Sequence, residues 1–145
     1  MRSARRPDTP RAAVHESQVF IFSVLDASAL LAILNQEPRA RRWEHVLPDA
    51  ALSAANLSEV VTKLAEVGMS EPEIRDVLDV GMAVVPFDAA LAHAAGLLRP
   101  RTRSLGLSLG DRACLALAVQ MGLPALTTDR AWDQLGLPVD IRIMA

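Results

Sequence analysis

The chain has 145 residues, 51% hydrophobic and 22% charged, a composition that excludes a disordered chain and favours one domain with a sizeable core. Its net charge of −2 excludes a wholly basic nucleic-acid binder while leaving room for a local basic patch. With a single cysteine, Cys114, no intramolecular disulfide can form, and a reducing, cytoplasmic setting fits.

In chain order, residues 1–18 hold four Arg and two Pro with no apolar periodicity and read as a mobile N-terminal arm; the domain is expected over 19–145. Residues 19–25, rich in β-branched and aromatic side chains, read as a central strand covered on both faces. Asp26 interrupts this apolar run, so no membrane-spanning stretch of roughly 20 residues exists. Ala27 to Asn35 reads as a helix, and Pro38 starts a second one through about Leu47. Ala50 to Ser53 suits a short strand. Asn56-Leu57-Ser58-Glu59 resembles a capping box opening a helix that stops at Gly68. A helix from Ser70 to near Gly81 and a strand over Met82 to Phe87 follow, then a helix capped by Asp88 and running to about Leu98. Arg99-Pro100-Arg101-Thr102-Arg103 reads as a basic loop. Ser108 caps a helix over 109–121, which Gly122 ends. A strand at Ala125 to Thr127, a short helical turn through Trp132 and Leu135, and an edge strand at Val139 to Met144 complete the chain. Strands alternating with helices predict a three-layer α/β/α sandwich around a mostly parallel sheet.

Four acids stand out against that framework. Asp26 and Asp129 each close a predicted strand, and Glu59 and Asp111 lie at the starts of predicted helices. In a parallel sheet these points share one edge, where open α/β folds place their ligands. Each acid also has a plain structural role open to it: Asp26 and Asp129 as helix caps, Glu59 and Asp111 as the third residue of capping boxes. As a set they point further, because converging carboxylates repel unless a cation joins them, and a divalent metal does so most simply. Ser28, Thr127 and Thr128 lie beside them and suit hydroxyls that orient carboxylates. His15, His45 and His93 are far apart and lack metal-ligand spacing, so a zinc site is not expected.

Leu25-Asp26-Ala27-Ser28-Ala29-Leu30, Asn56-Leu57-Ser58-Glu59-Val60, Leu109-Gly110-Asp111-Arg112-Ala113 and Leu126-Thr127-Thr128-Asp129-Arg130-Ala131-Trp132 resemble the motifs of PIN-domain nucleases, and among these the VapC-type toxins of prokaryotic toxin–antitoxin pairs. The resemblance covers about residues 22–145, in motif order and spacing. The arm departs from it, since such toxins begin only a few residues before the first aspartate. The resemblance implies a PIN-like fold and an endoribonuclease that uses Mg²⁺ or Mn²⁺. It implies a homodimer inhibited by a cognate VapB-type antitoxin. Motif for motif, Asp26, Glu59, Asp111 and Asp129 take the places of the acidic quartet, both catalytic and metal-holding, with Ser28 and Thr127 in support. The chemistry agrees, since metals held by carboxylates generate a nucleophile near neutral pH and stabilise a leaving oxygen.

Other classes fit less well. A receiver domain needs a late Lys at the sheet edge, whereas the single lysine, Lys63, sits inside a helix pattern. A dehalogenase-like phosphatase wants a second Asp where Ser28 stands. No Gly-rich phosphate loop exists, which excludes a P-loop NTPase. A catalytically inactive PIN-like module that binds metal or RNA is the alternative. For an RNA substrate the phosphate-contact candidates are Arg101 and Arg103 in the basic loop, with Arg112 and Arg130 beside two of the acids.

Overall fold

The computed structural model describes residues 20–145; the arm expected over 1–18 lies outside them. Five short strands, β1 (Ser23–Leu25), β2 (Ala50–Ser53), β3 (Ala83–Val85), β4 (Ala125–Thr127) and β5 (Ile141–Ile143), form one sheet in the order β3-β2-β1-β4-β5. Every pairing is parallel, with Val24 opposite both Ala51 and Ala125. The helices are α1 (Ala27–Leu34), α2 (Ala54–Glu66), α3 (Glu71–Val77), α4 (Ala89–Leu97), α5 (Arg99–Thr102) and α6 (Leu109–Met121).

Side chains alternate across the central strands, so each strand feeds two cores. Leu25, Leu52 and Leu126 face one side, where Leu30, Ile33, Val60, Leu64 and Ile74 from α1, α2 and α3 cover them. Val24, Ala51 and Ala125 face the other, against Leu91 and Ala95 of α4 and Leu115 and Leu117 of α6. That double coverage explains why these strands read as unbroken apolar runs. Trp132 is fully buried in the second core and anchors the 3₁₀ turn Arg130–Gln134 that follows β4. Gly122 ends α6 in the left-handed conformation (φ 66°), and the backbone N–H there bonds back to Ala118 and Val119.

Several local expectations are corrected. The first strand is only Ser23–Leu25; Phe20 and Phe22 are exposed and stack on each other with ring centroids 6.4 Å apart. Pro38–Asp49 winds as a 3₁₀ helix. Of its residues only Ala40 and Leu47 are buried, and Pro48 deletes a donor near its end, so little packing favours a full α-helix. The basic loop at 99–103 contains the single helical turn α5. α2 is capped by Ser53, whose hydroxyl accepts from the Ala55 N–H at 3.2 Å, so Asn56 is a buried residue inside the helix rather than its cap. Among the described residues no helix is long and apolar enough to cross a membrane.

Candidate active site

Strand order reverses between β1 and β4: the chain steps from β1 to β2 and β3 on one side, then returns to β4 and β5 on the other. That reversal opens a crevice at the carboxyl ends of β1 and β4. Asp26 follows β1 there, and its backbone N–H bonds to the Leu126 carbonyl at 2.9 Å, continuing the ladder. Although Asp26 stands at the cap position of α1, its side chain makes no cap bond. Its Oδ2 instead accepts from Ser28 Oγ at 2.7 Å and from Thr127 Oγ1 at 2.9 Å. Those hydroxyls are themselves aimed. The Thr128 N–H donates to Ser28 Oγ at 3.1 Å, and the Asp129 N–H to Thr127 Oγ1 at 3.1 Å. With their lone pairs so engaged, the hydroxyl protons are free to point at the carboxylate.

Asp26 is 4% exposed. Burial pushes its pKa up to about 6; the Ser28 bond opposes this, the charge of Asp111 adds to it, the Thr127 bond opposes, and the charge of Glu59 adds again. Asp26, Asp111 and Glu59 therefore form one electrostatic group. Cys114 lies beneath them, fully buried, and its thiol is pushed well above its usual range by burial and then by the same three charges.

Asp111 sits in the first turn of α6 and completes a capping box: the Ser108 N–H donates to Asp111 Oδ2 at 2.9 Å, and the Asp111 N–H donates to Ser108 Oγ at 3.1 Å. Glu59 Oε1 accepts from Asn56 Nδ2 at 2.8 Å, and the same Nδ2 donates to the Gly110 carbonyl at 2.9 Å. The sequence reads Asn56 only as a helix cap and gives Gly110 no role of its own; a Gly at the start of a helix, where Ala would be preferred, is the available signal. Asp129 is exposed, and its Oδ1 accepts from the Ala131 N–H at 3.0 Å. It adjoins the group through its own N–H on Thr127, while its carboxylate caps the 3₁₀ turn after β4.

The four acids share one feature. Among the described residues, each spends a single oxygen on the fold: Oδ2 of Asp26, Oε1 of Glu59, Oδ2 of Asp111 and Oδ1 of Asp129. The other oxygen of each makes no hydrogen bond to a described residue. This all-oxygen donor set suits a hard divalent cation such as Mg²⁺ or Mn²⁺. As they stand, no three acidic, histidine or cysteine groups among the described residues close on a common point.

The arginines differ in their freedom. Arg112 Nη1 donates to the Ala95 carbonyl at 3.0 Å, and its Nε is buried without a partner. Arg101 Nη2 donates to the Gly136 carbonyl at 2.7 Å, and Arg99 Nη1 to that of Leu107 at 3.1 Å. Arg103 and Arg130 are exposed.

Among curated protein sequences none matches this chain. Solved structures do resemble it in fold. VapBC2 from Rickettsia felis bound to a promoter DNA fragment superposes with a TM-score of 0.66 at 15% identity, covering 83% of this chain and 97% of that one. DNA-bound VapBC from Salmonella typhimurium gives 0.67 at 19%, covering 87% and 100%. VapC20 from Mycobacterium tuberculosis, a sarcin–ricin loop cleaving toxin, gives 0.65 at 21%, covering 81% and 98%. The sequence pattern of the PIN domain itself matches residues 23–137, a span that opens at β1 and takes in all four acids. With that match and this sheet, the chain belongs to the PIN domain family.

Proposed function

We propose that this protein is a divalent-metal-dependent endoribonuclease and the toxin of a VapBC-type toxin–antitoxin pair. The observation that carries the reading is the acidic group at the sheet edge of a PIN domain, with each carboxylate keeping one oxygen free. Asp26, Glu59, Asp111 and Asp129 would hold Mg²⁺ or Mn²⁺. Bound there, the ion would supply a water acidified towards neutrality and a positive charge against the scissile phosphate.

The chain's own groups prepare for that. Ser28 and Thr127 fix the Asp26 carboxylate by one oxygen and turn the other outward. The Ser108 box does the same for Asp111. Burial favours the protonated form of Asp26 in the metal-free protein, so ion uptake at neutral pH is coupled to release of whatever proton remains there. Arg101, Arg103 and Arg130 are placed to meet RNA phosphates, and Arg112 would do so only with the part of its guanidinium not held by Ala95. The likeness to a named sarcin–ricin loop cleaving toxin and to a toxin–antitoxin complex from Klebsiella pneumoniae supports an RNA substrate and a cognate VapB-type antitoxin; a homodimeric toxin is what the family resemblance implies.

The test is cleavage of an RNA pool by the purified protein with Mg²⁺ or Mn²⁺, the cut ends being sequenced. Defined ends that vanish with EDTA are expected. Cleavage that survives EDTA overturns the reading, and Mn²⁺ uptake without any cleavage gives the inactive module instead. Co-expression with the neighbouring small open reading frame should yield a co-eluting complex that no longer cuts.

A further inference from the structure

We infer that Asn56 and Gly110 together form a seat for the Glu59 carboxylate, and that this seat is what aligns the α2 acid with those of β1 and α6. The inference rests on the metal reading above and deepens it by naming two positioning residues.

Asn56 is fully buried. Its one Nδ2 group serves two acceptors, the Glu59 carboxylate on its own helix and the carbonyl of Gly110 on α6, 54 positions along the chain. Both neighbours are acceptors, so the amide can be oriented only one way, with nitrogen towards them. Its Oδ1 is then left buried without a donor. An amide kept only for packing would not retain an unpaired acceptor in the core; an apolar side chain would fill the same space without that cost.

Gly110 supplies the other wall. The Glu59 carboxylate lies where a Cβ on residue 110 would be, with Oε1, Cδ and Oε2 all overlapping that position. Gly110 is helical and needs no special backbone conformation, so the missing side chain is explained by the carboxylate rather than by a turn. Gly110 immediately precedes Asp111. One amide and one vacant Cβ position thus fix Glu59 against the residue that carries the next acid. Partners of this kind, which orient a ligand without touching the ion, are typically worth about 10–100-fold in metal affinity.

Gly110→Ala separates this role from a structural one. Ala raises helix propensity, and the group it displaces is the far end of a flexible side chain, so the fold persists while the carboxylate moves. Mn²⁺ titration by calorimetry should show about 10–100-fold weaker binding for Gly110→Ala. Asn56→Asp, with the same shape and no donor, should lose as much or more. Neither should weaken binding further when combined with Glu59→Ala, because both act through Glu59. Wild-type Mn²⁺ affinity in Gly110→Ala, or losses that multiply with Glu59→Ala, overturns the inference. If the wild-type protein takes up no Mn²⁺, the metal reading itself falls. The seat is then judged by urea unfolding in EDTA of Asn56→Ala, Glu59→Ala and their double variant: coupling supports it, and additivity overturns it.

Discussion

Two acids of the group, Asp26 after β1 and Asp111 at the start of α6, hold charge in opposite ways. Asp26 is buried, and its carboxylate is held by Ser28, two positions on, and by Thr127, 101 positions away. Asp111, in the first turn of α6, is half-buried and bonded to the cap of its own helix. Asp26 is desolvated charge that the fold must compensate; Asp111 is charge that a helix terminus favours. The chain thus brings acids to one edge by two routes, and the Thr127 partner of Asp26 leaves no mark near it in sequence.

The largest test of that contrast is Asp26→Asn. Cleavage should fall below detection, while metal-free stability at neutral pH should rise by about 1–3 kcal/mol, as relief of a burial penalty of that order. Urea unfolding in EDTA reads the second effect, and a less stable variant would mean that the Ser28 and Thr127 bonds outweigh burial.

The same residue sharpens the contrast through pH. Folding raises the Asp26 pKa from 3.8 to about 6, so between those values the folded state binds more protons than the unfolded chain. Its contribution to metal-free stability is complete below about pH 4 and is lost as pH rises through about 6. Wild type and Asp26→Asn should therefore be nearly equal near pH 4 and separate by about pH 7. A gap that stays constant across this range would remove burial as the cause.

Ser108→Ala probes the other half. Loss of its cap should cost about 1 kcal/mol in thermal or urea unfolding and leave the pH dependence assigned to Asp26 in place. Smallest of all, Arg101→Ala with Arg103→Ala should barely change stability yet lower the salt slope of RNA binding by about 1 for each phosphate no longer neutralised, measured by anisotropy on a non-cleaved RNA in EDTA. An unchanged slope would take these arginines out of the interface.

Much of this was legible from residues alone. Alternating apolar runs and cap residues located the strands and helices, because both signals are local. The exceptions were long-range. Asn56 and Ser53 are equally good caps by local rules; the chain runs straight from β2 into α2, which makes Ser53 the cap and carries Asn56 into the interior. Its partner there, Gly110, is on another helix. Asp26 looks like a cap in sequence, but its carboxylate accepts from the hydroxyls of Ser28 and of Thr127 on β4 rather than from a backbone N–H of α1. Phe20 and Phe22 extend the apolar run ahead of β1, where the Phe22 N–H still donates to the Asp49 carbonyl at 2.8 Å.

Cys114 turns this architecture into an instrument. Only the thiolate reacts readily with alkylating reagents, and here burial and three overlying carboxylates keep the proton on sulfur. Reaction must wait for an opening that exposes the buried sulfur. The alkylation half-life of the single cysteine is then a clock that counts opening events beneath the acids. Anything that bridges those acids stabilises the closed state and slows the clock, so binding can be timed at one sulfur atom with no turnover at all.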